Sequence, residues 1–298
     1  MRISEWLQAG FATLFAVAAW IPTTRPLPMK RRWAVTLFAL FTVCAVLLAG
    51  ASQYLLGPSA ALVLRDWLPV ALTPVFYWQT GQFFVGPDER IQAQLGAIDR
   101  RLLSFVPQMN VTRDRATRQV MEWAYMMCYP MMPLGLGVLY AAGLRRDAST
   151  FWLLVLMPTY LCYAITPFVP ALPPRSLAKQ DGGCEADPKP GPKPNRGRVM
   201  NLWILKYVSI QAISFPSAHV ASSLAVSLVL LWAVPVAGWV FLVVTVLIAV
   251  AAVAGGYHYA IDVVLGAAVT LVIFVAWAFH LIPSTLFTAL AAAFVAPL

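Results

Sequence analysis

Two short segments of the chain contain side chains whose types and spacing suit phosphoryl transfer. Residues 215–219 have the sequence FPSAH, and residues 256–262 have the sequence GYHYAID. His258 and Asp262 are four positions apart, so on a helix their side chains share one face. A carboxylate bonded to one imidazole nitrogen fixes the tautomer and leaves the other nitrogen free to act as a nucleophile or a base.

Three further residues suit the other parts of such a reaction. Ser217 and His219 fall at the beginning of a predicted helix, where a serine and free backbone N–H groups bind anions. Arg175 follows two prolines and can hold a phosphate through two parallel hydrogen bonds. We expect one histidine to attack phosphorus and the other to protonate the leaving oxygen, while fixed donors stabilise the phosphoryl oxygens.

The composition places these residues in a membrane protein. Of the 298 residues, 60% are hydrophobic and only 11% are charged, against about 25% charged in soluble domains. Apolar runs reach or approach the roughly 20 residues that a spanning helix needs; they cover 6–21, 33–56, 60–84, 121–143, 150–169, 218–234, 236–254 and 261–281. The run at 60–84 contains Arg65, Asp66 and two prolines, which leaves open a kinked span or a partly re-entrant segment. The prediction is therefore seven or eight spans.

The chain is predicted to be an all-α, polytopic membrane bundle with four parts. Residues 1–85 hold N-terminal spans, 86–120 an amphipathic interfacial segment, 121–282 the catalytic core and 283–298 an apolar tail. Apolar residues recur at helical spacing between positions 88 and 106, which indicates a helix on the membrane surface. Counting spans from the loop that holds Arg175 places that residue, His219 and His258 at one membrane face.

The remaining titratable and aromatic residues receive structural interpretations. Arg65 and Asp66 are expected to form a local ion pair, Tyr257 and Tyr259 to belong to an interfacial aromatic belt, and His280 to be an interfacial residue. The four cysteines have neither metal-ligand nor redox spacing. No metal and no cofactor is expected. The net charge of +9 lies mostly in links between spans, where it suits anionic lipid or phosphate rather than nucleic acid.

These motifs resemble those of the type 2 phosphatidic acid phosphatase superfamily, which shares its fold with vanadium haloperoxidases. That family has the motifs Lys-x6-Arg-Pro, Pro-Ser-Gly-His and Ser-Arg-x5-His-x3-Asp. Residues 216–219 match the second motif with Ala218 in place of Gly, and His258 with Asp262 matches the end of the third. The Phe-Pro-Ser-x-His-Val form and Pro-Pro-Arg look closer to the branch that contains inositol phosphorylceramide synthases. The resemblance covers about residues 123–281 and leaves the first 85 residues outside.

The resemblance implies a six-helix core with extra N-terminal spans, and a role for each site residue. His258 would be the nucleophile that forms a phosphohistidine, Asp262 its orienting partner and His219 the general acid. Ser217 and Arg175 would bind phosphate.

At two positions where the family pattern has a cation, this chain has an uncharged residue. Phe168 stands where the first motif has Lys, and Ala252 stands where the third has Arg. Lys206, Arg196 and Arg198 are candidates to replace these charges by position only.

Three functions follow as alternatives. The first is a phosphatase or phosphotransferase that acts on a lipid phosphate, such as phosphatidic acid or a polyprenyl phosphate. The second is a phospholipid headgroup transferase, and the third is a catalytically silent lipid-binding protein. The expected partners are the lipid substrate and membrane lipids, and the oligomeric state is left open. The expected location is the cytoplasmic (inner) membrane with an extracytoplasmic active site. This placement follows if the basic links at 25–32 and 145–146 are both cytoplasmic, which requires that the 60–84 run does not span.

Overall fold

The computed structural model describes residues 1–22, 26–104, 115–180, 196–210 and 212–279. Within these ranges the regular secondary structure is helical. The α-helices are α1 (Ile3–Ala18), α2 (Met29–Ala51), α3 (Gln53–Leu56), α4 (Pro58–Gly81), α5 (Glu89–Ser104), α6 (Arg115–Met126), α7 (Met131–Ala141), α8 (Ala148–Ile165), α9 (Pro174–Gln180), α10 (Arg196–Tyr207), α11 (Ala218–Ala233), α12 (Pro235–Ala254) and α13 (Ala260–Ala278). Single 3-10 turns at Arg145–Asp147 and Thr166–Phe168 flank α8. The prediction of an all-α bundle is confirmed.

Five helical segments in the described part of the chain are long and apolar enough to cross a membrane. They are Met29–Leu56, Pro58–Gly81, Arg145–Phe168, Pro235–Ala254 and Ala260–Ala278. Three shorter apolar helices, α1, α7 and α11, lie among them. The outer helices α2, α12 and α13 expose large apolar side chains, as expected where lipid replaces water as the solvent.

Helix α8 forms the centre of the bundle. Its side chains Phe151, Trp152 and Tyr160 are fully buried and belong to one apolar cluster with residues of α1, α4, α7 and α11. The first spans therefore pack directly on the core.

Helix α4 runs through the whole 60–84 run despite its internal prolines Pro69 and Pro74. Near its N-terminal end Arg65 pairs with Glu5 of α1 (2.6 Å), and near its C-terminal end the Trp78 indole donates to the carbonyl of Val208 (2.8 Å). The helix thus reaches both ends of the bundle, as a kinked span would.

The predicted span at 121–143 is divided into α6 and α7 by a tight turn. Pro130 has no N–H to donate, which interrupts the helical hydrogen bonds. The N–H groups of Cys128 and Tyr129 donate to carbonyls three residues earlier (3.2 and 3.3 Å). In the first turn of α7, the N–H of Leu134 donates to the carbonyl of Pro130 (2.9 Å). The two halves pack on different neighbours, α6 on α12 and α7 on α11.

The predicted ion pair between Arg65 and Asp66 is not formed. Adjacent helix residues do not face each other, and each of the two contacts another helix instead. Arg65 binds Glu5 through two nitrogens (2.6 and 2.7 Å), while Asp66 accepts from Arg2 and Arg145. These pairs hold the N-terminal helices to the core.

Helix α5 lies across one end of the bundle. Its Leu95 is buried against Ala171, Ile213 and Tyr259, and the N–H of Asp88 donates to the carbonyl of Pro170 (2.8 Å). Ile91 also packs against this cluster, whereas Ile98, Leu102 and Leu103 are exposed. The helix is amphipathic, as predicted, but one side of it packs on protein.

Candidate active site

His258 and Asp262 form a buried pair at the junction of α12 and α13. His258 Nδ1 lies 2.5 Å from Asp262 Oδ2, and the two side chains are 3% and 0% exposed. Because the carboxylate oxygen is the acceptor, Nδ1 carries the proton and Nε2 keeps its lone pair. The chain reaches His258 through a turn in which Gly256 has a φ of +64°, a conformation that glycine adopts without strain. The predicted pair is formed, but His258 lies before α13 and its N-cap Tyr259 is extended, so this turn rather than helical spacing positions the imidazole.

His219 lies beside the free nitrogen of His258. Its Nδ1 is 3.1 Å from His258 Nε2. Since Nε2 of His258 is the acceptor, His219 Nδ1–H is the donor. The described residues thus include a continuous Asp262, His258, His219 hydrogen-bond chain with one proton at each link.

The beginnings of α11 and α13 are held together through their main chains. The N–H of Ser217 donates to the carbonyl of Asp262 (3.1 Å). Gly266 permits this approach, because a Cβ at that position would lie 2.5 Å from the Ser217 carbonyl oxygen. This close contact fixes the relative position of the two histidines.

Ser217 is next to His219, but its side chain has a structural role. Its hydroxyl accepts the N–H of Val220 (3.4 Å) as the N-cap of α11, and the residue is 0% exposed. Direct contact of this hydroxyl with phosphate stays a prediction. The cap fixes the first turn of α11, where backbone N–H groups point out of the helix end.

Arg175, in α9, contacts the turn that precedes His258. Its N–H donates to the carbonyl of Gly256 (3.1 Å), and its guanidinium carbon lies 4.4 Å from the centre of the Tyr257 ring. A cation over an aromatic face is attracted by the ring quadrupole. The structure therefore brings four predicted residues, Arg175, His219, His258 and Asp262, to one end of the bundle, with Ser217 beneath them.

Two tyrosines form a wall of the site that the sequence did not predict. The rings of Tyr257 and Tyr125 stack at 3.9 Å with an angle of 8°, and the Tyr125 ring lies 5.6 Å from that of His219. The Tyr257 hydroxyl donates to Glu122 Oε2 (2.6 Å), and the amide of Asn201 from α10 also donates to Glu122. Burial, and then the Glu122 bond, raise the pKa of Tyr257, so it remains a donor at neutral pH.

Helix α5 supports the segment that follows His258. The Asp99 carboxylate accepts the N–H of Ala260 (2.6 Å), the first residue of α13, whose own N-cap residue provides no side-chain bond. Gln92 donates to the Tyr259 hydroxyl and accepts from the N–H of Leu172 (2.8 Å). Burial raises the pKa of Asp99, and the Ala260 N–H acts against this shift. The sequence signal was the i, i+3, i+7 spacing of Gln92, Leu95 and Asp99, where polar residues continue an apolar stripe.

The assignment of Tyr257 and Tyr259 to an aromatic belt is wrong. Both are buried, at 6% and 2% exposure, because each ring packs on a neighbouring helix and each hydroxyl has a protein partner.

Neither Ala252 nor Phe168 carries the charge that the family pattern has at its position. Ala252 is 0% exposed, packs with Tyr125 and Tyr257, and accepts the N–H groups of Tyr257 and His258 (2.9 and 3.1 Å). Phe168 is 78% exposed. Lys206 is exposed on α10, with its Nζ 4.9 Å from the Tyr207 ring. The side chains of Arg196 and Arg198, and the whole of His280, lie outside the described residues.

These features define a helical membrane protein with a His–His–Asp site at one end of its bundle, in which His258 and Asp262 are buried. A sequence profile described as the PAP2 superfamily matches residues 93–276, which is more than half of the chain, and the chain belongs to this superfamily. Its members are typically phosphatases, and membership supports a phosphatase-type activity on lipid phosphates in general. The match begins within α5, so most of that helix belongs to the family region. Comparisons with curated proteins and with solved structures found no match.

Proposed function

We propose that this protein transfers the phosphoryl group of a membrane lipid through a phosphohistidine at His258. The observation that carries the proposal is the hydrogen-bond chain from Asp262 through His258 to His219 (2.5 and 3.1 Å). It leaves His258 Nε2 as the unprotonated nitrogen and places a protonated nitrogen beside it. Membership of a superfamily of lipid phosphatases supports the substrate class.

The first half-reaction breaks the ester bond. His258 Nε2 attacks phosphorus, a P–N bond forms and the P–O bond to the lipid breaks. His219, in its imidazolium form, gives a proton to the departing oxygen, so the lipid leaves as an alcohol and His219 is left as the neutral imidazole. Asp262 stabilises the positive charge that develops on the His258 ring.

The second half-reaction restores the site. Water attacks the phosphorus of the phosphohistidine and gives a proton to His219. The P–N bond breaks, and inorganic phosphate is released. Arg175 and the backbone N–H groups at the start of α11 are the donors proposed for the phosphoryl oxygens.

A second candidate function, headgroup transfer, is favoured by the charge of the site. A phosphomonoester carries about −1.5 to −2 charges at neutral pH, whereas a diester carries about −1. Ala252 and Phe168 provide no charge where the family has Arg and Lys, and Arg175 is the cation that contacts the turn among the described residues. A site with less positive charge suits a diester donor and an alcohol acceptor, as in the inositol phosphorylceramide synthase-like branch.

We propose that the active-site end faces the cytoplasm, in place of the extracytoplasmic placement expected from the sequence. That placement was based on two cytoplasmic basic links, 25–32 and 145–146, which requires residues 60–84 not to span, but Pro58–Gly81 is long and apolar enough to cross. Arg31 also bonds to the carbonyls of Gln82 and Phe84, which puts its link at the active-site end.

The distribution of basic residues supports this orientation. Among the described side chains, those at the active-site end are Lys30, Arg31, Arg32, Arg90, Arg100, Arg101, Arg175 and Lys206, and those at the other end are Arg2, Arg65, Arg145 and Arg146. Lys and Arg are enriched on the cytoplasmic side of membranes. A membrane-impermeant thiol reagent on intact cells should label Arg146→Cys and not Arg101→Cys; the reverse pattern would restore the extracytoplasmic placement.

The histidine roles are separated by the choice of leaving group. An aryl phosphate with an acidic phenol needs little protonation of its leaving oxygen, whereas a lipid alkoxide needs it. His219→Ala should therefore release a burst of phenol from an aryl phosphate and accumulate labelled phosphohistidine, while losing activity on phosphatidic acid. His258→Ala should give neither burst nor label. Normal turnover by folded His258→Ala would falsify the nucleophile assignment.

Hydrolysis and transfer are separated by the products. Purified protein is offered a phospholipid donor with a labelled headgroup phosphate, with and without ceramide or diacylglycerol. Free phosphate as the sole labelled product excludes transfer, and a labelled diester that depends on the acceptor excludes simple hydrolysis. Lipid binding without any His258-dependent product would identify a catalytically silent protein.

A further inference from the structure

A second polar site lies at the end of the bundle opposite to His258. A cavity of about 320 Å³ is lined by Arg2, Leu62, Asp66, Arg145, Arg146, Ala148 and Ser149. It lies where α1 and α8 begin, close to the start of α4. Its volume is within the range of small-ligand sites, at roughly 300–1,000 Å³.

The charges that line this cavity do not balance. Asp66 is its carboxylate, and it already accepts from Arg2, from Arg145 (3.0 Å) and from the Tyr140 hydroxyl (2.5 Å). Arg146 is exposed and has no ion pair among the described residues. Three arginines against one aspartate leave an excess of two positive charges, which attracts an anion.

Hydrogen-bond donors in the cavity are also left without acceptors. Arg145 Nη2 is buried and has no acceptor in the described part of the chain, and such a buried donor is costly unless it is bonded. The 3-10 turn Arg145–Asp147 leads directly into α8, where the N–H of Ala148 donates to the carbonyl of Arg145, so the unbonded donor here is the guanidinium of Arg145. Ser149 adds a hydroxyl to the lining. A tetrahedral anion with several oxygens matches this set of donors.

We propose that this cavity binds the phosphate of an anionic phospholipid headgroup, in the leaflet opposite to the catalytic one. The oxygens of one phosphate group can accept from the guanidinium groups of Arg145 and Arg146 and from the hydroxyl of Ser149, which all line the cavity. The surroundings favour a lipid over a free ion, because Leu62 lines the cavity and Tyr54 and Leu55, on the link into α4, are highly exposed apolar side chains. The bound headgroup would strengthen the contact between α1, α4 and α8.

The test measures lipid binding independently of catalysis. His258→Ala protein, which cannot consume its lipid by the proposed route, is placed in nanodiscs of phosphatidylcholine with or without phosphatidylglycerol. Retained lipid is counted by native mass spectrometry, and thermal unfolding is followed in parallel. We expect retained phosphatidylglycerol but no retained phosphatidylcholine, and a higher melting temperature with the anionic lipid.

Two matched variants locate the effect. Arg146→Gln removes one donor without breaking an ion pair among the described residues, and it should weaken phosphatidylglycerol binding about tenfold, on the scale of one charged hydrogen bond. Arg101→Gln removes an exposed arginine at the other end of the bundle and should leave binding unchanged. Equal binding by the two variants, or equal retention of both lipids, would overturn the proposal.

Inorganic phosphate distinguishes the source of the anion. Competition of millimolar phosphate with phosphatidylglycerol in wild type, lost in Arg146→Gln, supports recognition through the phosphate group. Binding of phosphate with no retained lipid would overturn the assignment to a headgroup.

Discussion

Replacing Asp262 by Asn should separate catalysis from stability. The carboxylate is 0% exposed and its Oδ2 lies 2.5 Å from His258 Nδ1. Asn keeps the size of the side chain but removes the charge, and its NH₂ group can present a donor to Nδ1. The imidazole would then place its proton on Nε2, the nitrogen that must attack phosphorus.

The expected loss of turnover is at least about a hundredfold. A hydrogen bond to a charged group contributes about 1.5–3 kcal/mol, and each 1.36 kcal/mol changes a rate about tenfold. Inversion of the tautomer adds to this, and the corresponding substitution in serine proteases costs about 10⁴. Binding of substrate should change much less, because Arg175 and the start of α11 keep their positions.

Stability should respond in the opposite sense. The substitution replaces a buried carboxylate, whose removal from water is costly, by a neutral amide of the same shape. The melting temperature should therefore stay within a few degrees of wild type or rise. Asp147→Asn is the matched control, since Asp147 lies at the other end of the bundle and makes no cap bond from its side chain.

The assay is turnover per folded molecule, with folding measured by thermal unfolding on the same preparation. A purely structural role for Asp262 predicts a lower melting temperature with near-normal turnover. Wild-type turnover in a folded Asp262→Asn protein would show that the His–Asp pair is not the catalytic unit.

Three further substitutions test the surroundings of the site. Tyr257→Phe keeps the ring beneath Arg175 and should lower stability by about 1 kcal/mol with little effect on KM, whereas Tyr257→Leu removes the ring and should raise KM; equal KM values would refute the cation–π role. Asp99→Ala should lower kcat. Asp99→Asn, which keeps an acceptor for the start of α13, should lower it less; equal kcat in both variants would count against this capping role. Gly266→Ala should destabilise the protein by about 1–3 kcal/mol, because its Cβ would overlap the main chain of α11, while Gly137→Ala, with open space around it, should not; equal melting temperatures would contradict the close contact.

The sequence alone determined the class of the protein and the residues proposed for catalysis. Apolar runs of spanning length are set by the thickness of the bilayer, and they can be read without any knowledge of packing. His258 and Asp262 are only four residues apart, so their pairing could be predicted locally, although the turn before α13 rather than the helix itself positions His258. Counting spans placed His219 and Arg175 at the same end, and the structure brings all four residues there.

Tertiary structure decided the parts that depend on contacts between distant segments. The Tyr125 and Tyr257 stack has no local signature, and the spacing that aligns Asp99 with Leu95 does not show that Asp99 supports α13. Both contacts join residues more than a hundred positions apart. The partners of Asp66 and the burial of Tyr259 depend in the same way on which helices become neighbours. Residue spacing specifies one helix face at a time, whereas the charge balance of a site depends on which faces meet.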